Sequence, residues 1–196
     1  DLTVTGVQTC ALPIFLQVKL THAGIPFVIH SGVKFFEQAH IKDITAFLKV
    51  LYNPLDEISW MRLLRLLPGI GNNTAFRIFS VFLDQQAVRL TKENDSLNKL
   101  IPKKALHSWN VLQECFQKML EGKISPSNMI GIIYQNFYRD VLFSSFENAL
   151  QRETDVRYLE EFAVNYDKLE TFLNELSLVG SSILTDLESE DRKSVV

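Results

Sequence analysis

Apolar side chains recur every three to four residues from Glu37 onward, and this spacing constrains the fold more than any other feature of the chain. Ile41, Ile44 and Leu48 mark the first period, which Asn53-Pro54 should end because the residue before a proline avoids the helical conformation. Further apolar periods predict helices over residues 56–67, 72–86, 103–120, 125–141 and 156–169. The sequence therefore predicts an all-α fold.

One short segment near the beginning of the chain departs from the helical period. Ile25-Pro26-Phe27-Val28-Ile29 follows Ala23-Gly24 and has the composition of a short β-strand. A strand needs sheet partners, and the helical remainder offers almost none. We therefore expect this strand to be the edge of a truncated neighbouring α/β domain.

The two ends of the chain resemble translated sequencing adapters. Val4 to Ile14 matches one reading frame of a common short-read library adapter, and Asp191 to Val196 matches its partner adapter read towards a stop codon. We expect residues 1–14 and 190–196 to be adapter-derived tails and the natural protein to continue in both directions. Outside these tails no stretch is long and apolar enough to span a bilayer, so no membrane partner is expected.

The stretch from Leu66 to Ile78 predicts two helices joined by a glycine-bracketed turn. Pro68 should end the first helix, while Gly69 and Gly71 permit backbone angles and close approaches that a Cβ would forbid. The amide N–H groups of such a turn, at the start of the second helix, suit a phosphate. A glycine cap and tight turn inside an ordinary helical bundle remains the alternative.

This stretch resembles the helix-hairpin-helix motif of DNA-binding proteins, in which an LPGIG core is followed by Thr-Ala. The residues expected to offer backbone amides to a DNA phosphate are Gly69, Ile70, Gly71, Asn72 and Asn73. Thr74 is expected to cap the second helix or to add a hydroxyl contact.

Local charge supports binding to a polyanion although the net charge does not. The chain carries a formal net charge of -3 and a pI near 5.8. From Ile58 to Leu83, however, the formal charges are all positive, and they belong to Arg62, Arg65 and Arg77. We expect these three arginines to add charge to the DNA-binding surface.

A second motif resembles a known protein family. Gly24 to Phe27, followed by Ser31 to Asp43, is similar to the GIPY…GG.KFFER.EIKD segment of UvrD/Rep/PcrA-like superfamily 1 DNA helicases. The following segments also occur in the order that the family shows. Asn53-Pro54 comes first, then the helix from Trp60 to Leu67, and then the GIG turn. Ser31 replaces the first glycine of the usual pair, and Gln38 and Ala39 stand where the family commonly has an arginine-containing sequence.

The resemblance implies a fragment of an ATP-dependent 3′-5′ DNA helicase. Residues 54–189 would form the helical 2B subdomain, and residues 15–53 the edge of the 2A domain with its connector. The implied partners are a double-stranded/single-stranded DNA junction, helicase domains 1A and 2A, and a regulatory protein, in the cytoplasm. ATP and magnesium would bind elsewhere in the parent helicase, because this chain lacks the G-x-x-x-x-G-K-S/T motif that cradles phosphates.

Catalytic residues, cofactors and metals are not expected in this chain itself. Cys115 stands alone on an apolar helical pattern, and Glu160-Glu161 is typical of a solvated helix face. The histidines, at positions 22, 30, 40 and 107, are scattered without ligand spacing. The aromatic residues Tyr134, Phe137, Tyr138, Phe143 and Phe146 are predicted to form helical core rather than a base-stacking surface.

Two other classes of function remain open from the residues alone. A base-excision glycosylase or nuclease also carries an LPGIG..TA hairpin, but it would need a lysine or catalytic aspartate after the motif, and Asn73 stands where the lysine would be expected. A helical protein-interaction module is the other alternative, with the acidic half from Thr154 to Ser189 as its binding surface.

Overall fold

The computed structural model describes residues 19, 20, 22–25, 35–84 and 95–178. Within these residues all regular structure is helical, which confirms the predicted all-α class. The predicted strand lies outside the described residues except for Ile25. The chain divides into two units, one of residues 1–38 with 174–196 and one of Ala39–Leu173.

The second unit contains the helices that matter for the candidate site. They are α1 (Ala39–Tyr52), α2 (Glu57–Leu64), α3 (Asn72–Asp84), a short α4 (Asp95–Asn98), α5 (Leu106–Glu121), α6 (Pro126–Ile133), α7 (Arg139–Ser145) and α8 (Ala149–Ala163). A π-helical segment, Tyr134–Tyr138, joins α6 to α7, and a 3₁₀ turn covers Lys103–Ala105. Another 3₁₀ turn, Phe35–Glu37, belongs to the first unit. A further helix, α9, covers residues 169–178.

Local signals place several helix ends where the sequence predicts them. Asp56 caps α2 by accepting a hydrogen bond from the Ser59 amide at 3.1 Å. Ser125 caps α6, whose first turn contains Pro126, and Gly122 ends α5. Each signal acts within a few residues of itself, so it does not depend on the surrounding fold.

The core of the second unit is built around α1. Ile41, Ile44 and Phe47 are fully buried, and α1 packs against α2, α6 and α8. The Phe47 ring lies 6.4 Å from that of Phe116 on α5 in a stacked arrangement. Trp60 on α2 also stacks on Phe116, at 6.1 Å, so α2 is fixed to the core immediately before the glycine turn.

The π-helical segment is a feature that the sequence did not predict. The apolar period predicts one continuous α-helix through Val141, but residues Tyr134–Tyr138 form a wider π-helical turn. The Tyr134 hydroxyl donates to Glu153 at 2.7 Å and the Tyr138 hydroxyl donates to Asp43 at 2.6 Å. Tyr134, Phe137 and Tyr138 are buried, as predicted, whereas Phe143 is 43% exposed.

The long helix predicted over residues 156–169 is wrong, because two helices occupy this stretch. α8 ends at Ala163, and α9 begins at residue 169. The side-chain amide of Asn165 donates to the Phe162 carbonyl at 3.0 Å, which satisfies an acceptor at the end of α8. The Tyr166 ring lies 5.5 Å from that of Phe172. Apolar packing therefore continues across the non-helical residues that separate α8 from α9.

None of the helices within the described ranges has the length and apolarity needed to cross a membrane.

Candidate nucleic-acid interface

The turn between α2 and α3 is held by its own backbone and by one buried side chain. The Leu67 amide donates to the Leu64 carbonyl at 3.1 Å, and the Ile70 amide donates to the Leu67 carbonyl at 3.2 Å. Ile70 is only 5% exposed, so it anchors the turn to the core. The Ile70 amide already donates to Leu67. Ile70 therefore stabilises the turn, and its amide is not available to a DNA phosphate.

Gly69 is the residue that the turn geometry requires. Its φ of +77° lies in the left-handed region, which side chains with a Cβ rarely adopt. The prediction that a glycine is needed here for its backbone angle is confirmed.

Gly71 has neither an unusual backbone angle nor a crowded environment. Its φ lies outside the left-handed region, and a Cβ added to it would meet no atom within 4 Å. Neither the turn nor the packing explains this glycine. The space in front of it is open to a ligand, and a role in close approach to DNA stays a prediction.

A row of unbonded amides begins at Gly71. The first bond of α3 runs from the Ala75 amide to the Gly71 carbonyl at 2.9 Å. The amides of Gly71, Asn72, Asn73 and Thr74 precede this bond, and no acceptor binds them in the part of the chain that the structure describes. They carry the positive end of the helix dipole and favour an anion.

Thr74 does not cap α3. Gly71 occupies the capping position, because its carbonyl accepts the first helical bond, and Thr74 lies inside the first turn. Thr74 is half-buried, whereas Asn72 and Asn73 are exposed. The hydroxyl contact remains as the role expected for Thr74.

The three arginines differ in how far their charge is already balanced. Arg62 donates from Nε to Asp43 Oδ1 at 2.6 Å and from Nη2 to the Ala39 carbonyl at 3.2 Å. Arg65 and Arg77 are exposed, and neither has a carboxylate within 4 Å among the described residues. Among the described residues, therefore, the charge of Arg62 is balanced by a carboxylate and the charges of Arg65 and Arg77 are not.

The Arg62 contact belongs to a network that reaches the core. Asp43 is 6% exposed and accepts bonds from Arg62 on one oxygen and from the Tyr138 hydroxyl on the other. Burial, and then the charge of Asp43, raise the pKa of the Tyr138 hydroxyl far above its ordinary value, so it stays a neutral donor. Arg62 therefore joins α2 to α1 and to the π-helical segment.

Lys104 is a basic residue at the turn that the sequence pattern does not predict. Its side chain lies directly against Gly69, with Nζ 2.7 Å from the position that a Cβ on Gly69 would take. No carboxylate in the described ranges lies within ion-pair distance of it. The lysine pair after Pro102 was the available signal, but its proximity to the turn arises only in the folded chain.

The described residues hold no group of three or more histidine, cysteine or carboxylate side chains that could bind a metal. Cys115 is buried, and burial raises the pKa of its thiol. His40 is fully buried, with Nε2 3.1 Å from Asp155 and Nδ1 accepting from Arg152 at 2.7 Å. Both side chains belong to the buried core.

Comparison with known proteins identifies a helicase family. The family model of the UvrD-like helicase C-terminal domain matches residues 12–190. The chain is 28% identical over 209 residues to an ATP-dependent DNA helicase PcrA of Staphylococcus epidermidis, covering 96% of this chain and 27% of that protein. It is 29% identical over 159 residues to a probable DNA helicase II homolog of Mycoplasma capricolum, covering 80% and 21%.

A shorter segment is more similar to a third relative. The chain is 47% identical over 49 residues to the ATP-dependent DNA helicase UvrD1 of Mycobacterium tuberculosis, which covers 25% of this chain and 6% of that protein. Where the match covers most of this chain, the chain spans 21% to 27% of the relative's length.

Proposed function

Because this chain belongs to the UvrD-like helicase C-terminal domain family, we propose that it is the DNA-binding accessory part of an ATP-dependent 3′-5′ DNA helicase. In this proposal residues 54–189 are the 2B subdomain, and residues 15–53 are the edge of the 2A domain with its connector. The observation that carries it is the row of unbonded amides from Gly71 to Thr74, which begins at a glycine in open space.

The proposed contact is with the backbone of duplex DNA. The turn and the first turn of α3 act as a helix-hairpin-helix element in which the amides of Gly71, Asn72 and Asn73 donate to a phosphate. Arg65, Arg77 and Lys104 supply positive charge around it, while the charge of Arg62 is balanced by Asp43. Contacts to phosphates carry no sequence information, so the surface binds DNA of any sequence.

The remaining chemistry belongs to the rest of the parent protein. Helicase domains 1A and 2A would bind ATP and magnesium and move along single-stranded DNA in the cytoplasm, while this part contacts the duplex at a junction. The relatives are named ATP-dependent DNA helicases, which supports the proposal that the parent protein is one. A regulatory protein could bind the acidic half of the chain, from Thr154 to Ser189.

A Gly71→Asp substitution tests the phosphate contact without weakening the helix. Aspartate is among the best capping residues, so the free energy of unfolding should stay the same or rise. Its carboxylate, however, bonds the same amides and repels a phosphate. We expect affinity for blunt duplex DNA, measured by fluorescence anisotropy at low salt, to fall about tenfold or more.

Ser125→Asp is the matched control. It adds the same charge at the cap of α6, a different helix, and it also replaces one good capping residue by another. We expect it to bind duplex DNA like the unchanged chain. Equal affinity of the Gly71→Asp variant and the unchanged chain would refute the phosphate contact.

A further inference from the structure

Three basic side chains lie together where α5 begins, and we call them the α5 cluster. They are Lys103, Lys104 and His107, and all three are exposed. The sequence contains no carboxylate from Ser96 to Gln113, and none of the three makes an ion pair in the part of the chain that the structure describes. The positive charge of the α5 cluster is therefore unbalanced among the described residues.

The α5 cluster occupies one face of a firmly packed segment. Ala105 and Trp109 are fully buried, so they fix the inner face of this segment in the core. Lys103 and Lys104 precede His107 by four and three residues, so the three side chains share the opposite face. The fold thus holds the three basic groups close together at the surface.

The α5 cluster does not stabilise the helix that carries it. Positive charge at the start of an α-helix opposes the helix dipole. The first turn of α5 contains no acidic residue that could offset this effect. Because these charges weaken their own helix and balance no described carboxylate, a contact with an external anion is the better explanation for them.

The α5 cluster adjoins the glycine turn. Lys104 Nζ lies 2.7 Å from the position that a Cβ on Gly69 would take, so the cluster continues the surface that is proposed to bind a DNA strand. Side chains three or four residues apart on a helix are separated by about 5–6 Å. The minor groove of B-DNA is about 6 Å wide, which is close to this separation.

We propose that Lys103 and His107 bind phosphates of the second strand of the duplex, across the minor groove from the strand that is held at the glycine turn. The surface then distinguishes a duplex from a single strand, because only a duplex presents a facing strand at this fixed distance. This inference rests on the proposed DNA-binding function and adds the second strand to it.

The double substitution Lys103→Gln with His107→Gln in the full chain tests this contact. Both changes remove basic groups from exposed positions and leave Lys104 in place at the turn. We expect affinity for a blunt duplex, measured by fluorescence anisotropy at low salt, to fall about 5-fold or more. Affinity for either of its strands alone should change less than about twofold. Lys103→Arg, with His107 unchanged, should keep the affinity for the duplex.

The controls separate this inference from the proposed function. Lys118→Gln removes an exposed charge at the other end of α5 and should alter neither affinity. The effect of Gly71→Asp on the duplex reports the contact at the turn, whereas the difference between the losses for duplex and single strand reports the α5 cluster. If the double substitution lowers both affinities equally, or neither, the second-strand contact is refuted whatever the result for Gly71→Asp.

Discussion

At the scale of single residues, the two glycines of the turn have different explanations. Gly69 is required by its left-handed backbone, whereas the flexible end of the Lys104 side chain beside it could move aside for a Cβ. Gly71 has room for a side chain among the described residues, and we propose that a ligand is what requires a glycine there. The sequence predicted a glycine-bracketed turn, but it could not separate these roles because both letters fit the same motif.

Alanine at each position should show the difference. Gly69→Ala forces a Cβ into the left-handed region, so it should lower the free energy of unfolding by about 1–2 kcal/mol. Gly71→Ala should lower it by less than about 1 kcal/mol. Urea denaturation followed by circular dichroism measures both, and equal losses would contradict the assignment of roles.

At the scale of elements, local signals were predictable and tertiary ones were not. Asp56 and Ser125 identify the starts of α2 and α6 because a cap acts within three residues. The π-helical segment escaped prediction because its tyrosine hydroxyls bond to Asp43 and Glu153, which are distant in sequence. Lys104 escaped for the same reason, since its contact with Gly69 depends on where α5 begins.

Tyr134 of the π-helical segment makes the free energy of unfolding fall at alkaline pH. Burial, followed by the hydrogen bond to Glu153, raises the pKa of Tyr134 from 10.0 to about 12. The unfolded chain therefore loses this proton at lower pH than the folded chain does. The stabilising contribution is complete below pH 10 and is lost as the pH rises towards 12.

A Tyr134→Phe substitution should reduce this dependence on pH. The variant removes the titrating hydroxyl, so its free energy of unfolding should fall less steeply than that of the unchanged chain above about pH 10. Tyr158→Phe, on α8, serves as the control. Parallel pH profiles for the unchanged chain and Tyr134→Phe would show that Tyr134 does not contribute.

At the scale of the whole molecule, an acidic chain is proposed to bind DNA through a small basic surface. The net charge of -3 opposes nonspecific binding elsewhere, so the affinity depends on a few phosphate contacts. The side chains available for these contacts are Arg65, Arg77 and Lys104, with the amides of α3. Binding should therefore be weak and sensitive to salt.

The number of phosphate contacts can be counted from the salt dependence of binding. Three cationic contacts predict a slope of about −3 for the logarithm of the binding constant against that of the salt concentration. Lys104→Gln should make the slope less steep by about 1, whereas Lys118→Gln, about 20 Å further along α5, should leave it unchanged. Identical slopes for both variants would remove Lys104 from the surface.

The ion pair of Arg62 with Asp43 has a mechanical consequence. Arg62 lies about one helical turn before the glycine turn, and its bonds fasten α2 to α1 and, through Asp43, to Tyr138. A load applied to the turn by a strained DNA backbone would thus pass directly into the hydrophobic core instead of bending α2. The turn is therefore joined stiffly to α1, and a substitution that removes this ion pair should make the turn more flexible without changing any residue that is proposed to contact DNA.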